Sequence, residues 1–346
     1  MTASFGALAL SSMWAQRFPD PDDLGPFFAA GRAIGFERFE LSHTHSTAAL
    51  AAIPPAVVIA SVHHPCPAGP PLRPGDDATS SDPAARARWA DALRRTIDTA
   101  QRLGATAVCA HLGTAHDETV RKLWFELHSR YQAGQSTDPR YVEVRAALAA
   151  RLAAVEPASI ARAVEVLAGV ADELRSAGVA LGVETGYHAW ELPTADGMRR
   201  LLEGVDAAVP GAALGDGAFI GAWLDTGHVG VQQNVGVATF EGWFAAVAAA
   251  GGGDGIVAGD RDAAGHGGRW VGVHWHDAVG VRDHLAVGAG ALDLSAVGAR
   301  LAKAMPACGR LDTLEIDWYV DADEVRLAGR ALRAVDAASG RLAGRA

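Results

Sequence analysis

Eight short apolar runs recur along the 346 residues, separated for the most part by sequence with a helical period. The runs are 6–12 (GALALSS), 37–42 (ERFELS), 57–63 (VVIASVH), 105–111 (ATAVCAH), 180–185 (ALGVET), 220–225 (IGAWLD), 271–276 (VGVHWH) and 312–317 (DTLEID). Between them, Trp89, Leu93, Ile97 and Ala100 make one helical stripe that Gly104 ends. Ile160, Val164, Leu167, Ala171 and Leu174 make another that Gly178 ends. Strand, helix, strand, repeated, gives parallel strands with right-handed crossovers. Eight is the number that closes such a sheet on itself. The pattern therefore predicts an α/β fold, a (β/α)8 TIM barrel, with residues 1–346 as a single domain. A doubly wound open sheet shares the local pattern, but no Gly-x-Gly-x-x-Gly turn follows the first strand.

Two connections are too long for simple crossovers. Residues 112–157, which include KLWFELHSRYQAGQ, predict a helical insertion over the top of the barrel between strands four and five. Residues 250–269 are glycine-rich and predict a loop. The net charge is −10 and the only lysines are Lys122 and Lys303, so no basic run is present to neutralise phosphates and no nucleic-acid partner is expected. Cys66, Cys109 and Cys308 lack paired or C-x-x-C spacing, as free thiols in a reducing compartment do. No basic start precedes a signal-like apolar core, and no apolar run reaches the roughly 18 residues of a membrane span. The expected location is cytoplasmic, with no membrane partner; a homo-oligomer remains open.

In a barrel of this kind the chemistry gathers where strands end, because polar residues there converge in space. Glu184, Asp225, His274 and Glu315 end four successive strands. Oxygen and nitrogen donors held by a rigid scaffold are what a divalent cation needs. Burying that much carboxylate without a cation is costly. His63 and His64 end the third strand and His111 the fourth. His228 follows Asp225 by three residues, and Asp283 and His284 lie in the loop after strand seven. These six are candidates for contact with a substrate or a second metal. His276 shares the strand parity of His274 and ranks behind the four as a ligand. Trp190 and Trp275 lie near the same strand ends, where core packing is their default role.

The stretches FERFEL, SVHHPCP, VCAHLGT, LGVETG, WLDTGHV, VHWHDAVGVRDHLAVGAG and LEID, in this order, resemble the xylose-isomerase-like barrel superfamily. That group holds sugar phosphate isomerases, ketose 3-epimerases and endonuclease IV. The resemblance implies that Glu184, Asp225, His274 and Glu315 bind one divalent metal, with Mn2+, Zn2+, Mg2+ and Co2+ as the choices. It implies an isomerase or epimerase of a small sugar or sugar phosphate, working by proton transfer through a metal-stabilised enediolate, with Glu184 and Glu315 as the catalytic carboxylates. It also implies that His228 touches substrate or a further metal. The alternative it offers is an endonuclease-IV-like phosphodiesterase, in which His63 or His64, His111, His228 and His284 hold two more metals. That branch places an acidic ligand near Arg282 or Asp283. The loop DHLAVGAG departs from the family pattern D-H-L-P-x-G-E-G, with Ala286 in place of the proline and Ala289 in place of the acid.

Overall fold

The computed structural model describes residues 5–209, 220–250, 269–304 and 311–338. Eight strands form the central sheet: β1 Ala9–Ser11, β2 Arg38–Leu41, β3 Val58–His63, β4 Ala107–Ala110, β5 Ala180–Glu184, β6 Ile220–Asp225, β7 Trp270–Trp275 and β8 Leu311–Leu314. They close into a barrel in sequential order, every neighbouring pair parallel, with β1 hydrogen-bonded to both β2 and β8. This is the expected (β/α)8 topology.

The strands are shorter than most of the apolar runs that announce them, because the ladder stops before the run does. At β1 the chain turns at once into a 3-10 turn, Ser12–Arg17, with the Ser11 hydroxyl accepting from the Met13 amide. At β8 the ladder ends at Leu314, and the Glu315 amide still donates to the Trp275 carbonyl at 3.2 Å.

Local chemistry sets the helix ends. Pro83–Leu103 begins with Asp82 accepting from the Ala84 amide and with a proline in its first turn. It ends at Gly104, whose φ of 70° is the left-handed conformation that glycine adopts without a Cβ penalty. The second stripe, expected as one helix, is divided between Pro139–Ala168 and Ala171–Ala177. The chain leaves the first helix at Gly169, whose amide returns to the Glu165 carbonyl, and re-enters after Val170.

Three helices lie between β4 and β5: Glu118–Gln132, Pro139–Ala168 and Ala171–Ala177. In the first, Trp124 lies 6.1 Å and 6.3 Å, ring to ring, from His188 and Trp190 in the loop after β5. The second packs along helix Ala195–Ala208. A short antiparallel pair, Gly113–Thr114 with Glu191–Leu192, joins the loops that follow β4 and β5. The glycine-rich 251–268 and Cys308 lie outside the described residues. Among the described residues no helix is long and apolar enough to cross a membrane.

Alternation along the strands divides two environments. Leu41, Val62, Val108, Val183, Leu224, Val273 and Leu314 are fully buried in the main core. The alternate residues Glu40, Ser61, His63, Cys109, Glu184, Asp225 and His274 face the barrel axis and are mostly polar. Below them sits Trp223, in a separate cluster with Ala107, Cys109 and Val271. Gly182 and Gly272 make its room: a Cβ on either would come within 2.7 Å or 2.4 Å of the indole. Trp275 points the other way, into the main core, and its indole N–H donates to Asp312 Oδ1 at 2.7 Å.

Candidate metal centre

Glu184 and Asp225 are the last residues of β5 and β6, His274 is the penultimate residue of β7, and Glu315 is the first residue past β8. Strand register aligns them, since His274 is the pairing partner of Asp225 on one side and of Thr313 on the other. One donor atom from each of the four lies within 4.8 Å of the others, and all four residues are buried. His274 Nδ1 is the focus: Glu184 Oε1 lies at 2.7 Å, Glu315 Oε2 at 3.0 Å and Asp225 Oδ2 at 3.8 Å. Burial alone would depress the imidazole, but Glu315, Glu40 and Glu184 together hold it well above its ordinary value. Three carboxylates aimed at one imidazole nitrogen in a closed space form a donor set that fits a divalent cation. Without one, the protons that His274 and His111 hold more tightly offset part of the charge.

Glu40 is part of this centre and was not among the residues expected there. Its Oε1 lies 2.9 Å from His274 Nε2, and its Oε2 accepts from Ser61 Oγ at 2.7 Å and Thr313 Oγ1 at 3.4 Å. The signal was present in FERFEL: Phe39 and Leu41 face the helices, so the acid between them faces the axis.

Glu184 has a second set of neighbours. His63 Nε2 and His111 Nε2 each lie 3.0 Å from its Oε2, and the Cys109 thiol donates to the same oxygen at 3.5 Å. His63 Nδ1 donates to the His64 carbonyl at 3.0 Å, so its Nε2 meets the carboxylate only with a proton or a cation between them. For His111, desolvation lowers the proton affinity, and Glu184 more than reverses it to about 9. His64 does not join them. The strand pleat turns it outward, where Nδ1 lies 3.1 Å from Thr96 Oγ1 and the ring packs edge-on at 4.9 Å from Trp89. Burial and the neighbouring histidines push it down to about 3. His43, which lies past the end of β2 and outside the expected set, has its ring 5.5 Å from that of His63.

Asp225 opens a helix. It caps Thr226–Asn234 by accepting from the His228 amide at 2.7 Å, so His228 stands on the first turn of that helix. The other oxygen of Asp225 pairs with His276 Nε2 at 2.8 Å. His276 Nδ1 accepts the His284 amide at 2.8 Å, so both nitrogens of His276 are committed and it buttresses Asp225. His228 donates from Nδ1 to the Thr185 carbonyl at 2.9 Å, which leaves Nε2 facing Asp283 Oδ2 at 3.7 Å.

Asp283 and His284 belong to a hairpin, Asp277–Val279 with Arg282–Leu285. His284 Nδ1 lies 3.2 Å from Asp283 and Nε2 lies 4.0 Å from Glu315 Oε2, with the ring stacked 4.2 Å from His276. Burial opposes its protonation, but Asp283 raises it to about 10. Its φ of 53° is left-handed, a conformation that costs a non-glycine residue about 1 kcal/mol. In the following loop, which carries Ala286 and Ala289, Asp277 gathers the amides of Ala278, Gly288 and Leu292 at 2.8, 3.0 and 3.0 Å. Two further triads with cation-like spacing flank the four-residue centre: His63, His111 and Glu184, and His228, His276 and His284, the second with both His276 nitrogens already committed to Asp225 and the His284 amide.

After β5, Glu191 accepts from the amides of Tyr187 and His188 at 2.8 and 3.0 Å and from His188 Nδ1 at 2.8 Å. Trp190 stacks on His188 at 4.0 Å. Its ring also meets Phe125 at 5.0 Å, so it packs this loop against helix Glu118–Gln132.

No family model matches the sequence, and no curated protein matches it. Solved structures do. An L-ribulose 3-epimerase aligns with a TM-score of 0.59 at 18% identity, covering 97% of this chain and 96% of its own. A D-allulose 3-epimerase from Methylomonas sp., in complex with D-allulose, gives 0.55 at 16% identity over 97% and 99% of the two chains. A xylose isomerase domain protein from Alicyclobacillus acidocaldarius gives 0.55 at 16%, over 96% and 99%. Across nearly its whole length, the chain shares the (β/α)8 barrel fold of these structures.

Proposed function

We propose that the chain is a divalent-cation-dependent isomerase or epimerase of a small ketose or ketose phosphate, acting by proton transfer at the carbon beside the carbonyl. The observation that carries this reading is the pair Glu184 and Glu315, 2.7 and 3.0 Å from the same imidazole nitrogen, with Asp225 beside them. Glu184, Asp225, His274 and Glu315 hold the cation; Mn2+, Zn2+, Mg2+ and Co2+ all suit the set. When bound, the cation supplies Lewis acidity to the substrate carbonyl and its neighbouring hydroxyl.

The residues of the chain handle the proton. Glu184 and Glu315 reach the centre from strands three places apart, so one carboxylate takes the proton and the other returns one. His63 and His111 hold Glu184 Oε2, and Ser11 Oγ donates to Glu315 Oε1 at 3.4 Å. His228 Nε2, Asp283 and His284 contact substrate hydroxyls or a phosphate. The ketose epimerases that share the fold support the substrate class. Incubating the cation-loaded protein with a panel of ketoses and their phosphates, and looking for the C3 epimer or the aldose, tests the reading. A protein that holds its cation and converts none of them is something else.

His228→Ala and His284→Ala are expected to raise KM roughly tenfold, about 1.4 kcal/mol of lost contact, with the tightest cation retained. Loss of that cation in either variant would show that these histidines belong to a primary multi-metal cluster.

The two flanking triads favour one second reading, a hydrolase with two or three cations. The net charge of −10 opposes it, since little counterion release is on offer to bind a nucleic acid. The purified protein is expected not to nick an abasic duplex at physiological salt. Efficient nicking that disappears in Asp225→Asn would reverse the ranking.

A further inference from the structure

We propose that Glu40 is the positioning residue of the metal centre: it fixes which nitrogen of His274 faces the cation and strengthens that nitrogen as a donor. This rests on the reading of His274 as a cation ligand. Glu40 is fully buried on β2, across the barrel from Asp225, and its register partners on either side are Ser11 and Ser61. Its two oxygens are divided. Oε2 is occupied by the hydroxyls of Ser61 and Thr313, while Oε1 has His274 Nε2 at 2.9 Å.

A carboxylate accepts and cannot donate, so the His274 nitrogen facing it carries the proton. In the cation-loaded protein Nδ1 then keeps its lone pair, and Nδ1 is the nitrogen turned toward Glu184, Glu315 and Asp225. The negative charge behind the ring also makes Nδ1 a better donor. Ser61 and Thr313 matter in turn, because they stop the carboxylate from rotating away. Glu40 touches neither substrate nor cation, so its effect passes entirely through His274.

The test is titration of Co2+ into cation-free protein, followed by its visible absorption. Glu40→Gln, with the charge gone and the shape kept, is expected to bind Co2+ about 10–100-fold more weakly than wild type and with an altered ligand-field spectrum. A merely structural role would lower the melting temperature of the cation-free form and leave the affinity alone. Wild-type affinity and spectrum in folded Glu40→Gln overturn the proposal. A wild-type protein that binds no Co2+ overturns the metal reading, and this proposal with it.

A second measurement needs no variant. In the Zn2+-loaded wild type with 15N-labelled histidine, one imidazole should show a metal-bound Nδ1 and a slowly exchanging proton on Nε2. His274 bound to the cation through Nε2, its signal identified by its loss in His274→Gln, overturns the assignment.

Discussion

Glu184→Gln and Glu315→Gln are each expected to abolish turnover in a protein that still folds. Glutamine matches the volume of glutamate and keeps one carbonyl oxygen for the histidines around it, so packing is conserved. What goes is the negative charge and the basic site. Loss of a general base alone costs about 10²–10⁴-fold. The two variants should differ in a second respect. Glu184 uses both oxygens, one toward His274 and one toward His63 and His111, whereas Glu315 meets His274 through one oxygen and a serine hydroxyl through the other. Glu184→Gln should therefore loosen the cation more than Glu315→Gln. Kinetics on the identified ketose at saturating cation, with circular dichroism as the folding check, decide the matter. Near-wild-type rates in either variant remove that residue from the proton-transfer role.

Stripping the cation is expected to destabilise the fold as well as stop the reaction. Glu40, Glu184, Asp225 and Glu315 are all buried around one imidazole, and a ligand that binds only the folded state stabilises it by mass action. At a hundredfold excess over its Kd, the cation should add about 2.7 kcal/mol. Asp225→Asn should erase that gain. Asparagine is as good a helix cap as aspartate, so the start of Thr226–Asn234 survives and the change reports on charge. The measurement is the melting temperature with chelator and with added Mn2+, Zn2+, Mg2+ or Co2+. An equal rise in wild type and Asp225→Asn would place the cation elsewhere.

The barrel and its four-residue centre were legible in the sequence for a physical reason. Parallel strands buried on both faces read as apolar runs, and a charged residue at the end of such a run stands out. Glu184, Asp225, His274 and Glu315 were visible on that account, and the structure brings their donor atoms together. Glu40 was harder to see because it sits inside a run, where an acid reads as an interruption. Only the inward pleat of its position makes it part of the site. His63 and His64 could not be told apart until strand register was known, since a shift of one residue exchanges the faces. The roles of His276 and His228 depend on which backbone groups occupy their second nitrogens. Those partners, the His284 amide and the Thr185 carbonyl, come from distant segments. The apolar stripe runs straight through Gly169 and Val170, so nothing in its period marks the break there.

Proton transfer at the carbon beside the carbonyl can be read directly from solvent exchange. The cation-loaded wild type should be incubated with its ketose in deuterium oxide, and the recovered sugars examined by proton NMR. Deuterium is expected at that carbon in product and in recovered substrate, with no exchange in Glu184→Gln or Glu315→Gln. Conversion that carries the original hydrogen along, with no solvent deuterium at that carbon, would contradict a mechanism in which Glu184 and Glu315 take and return the proton.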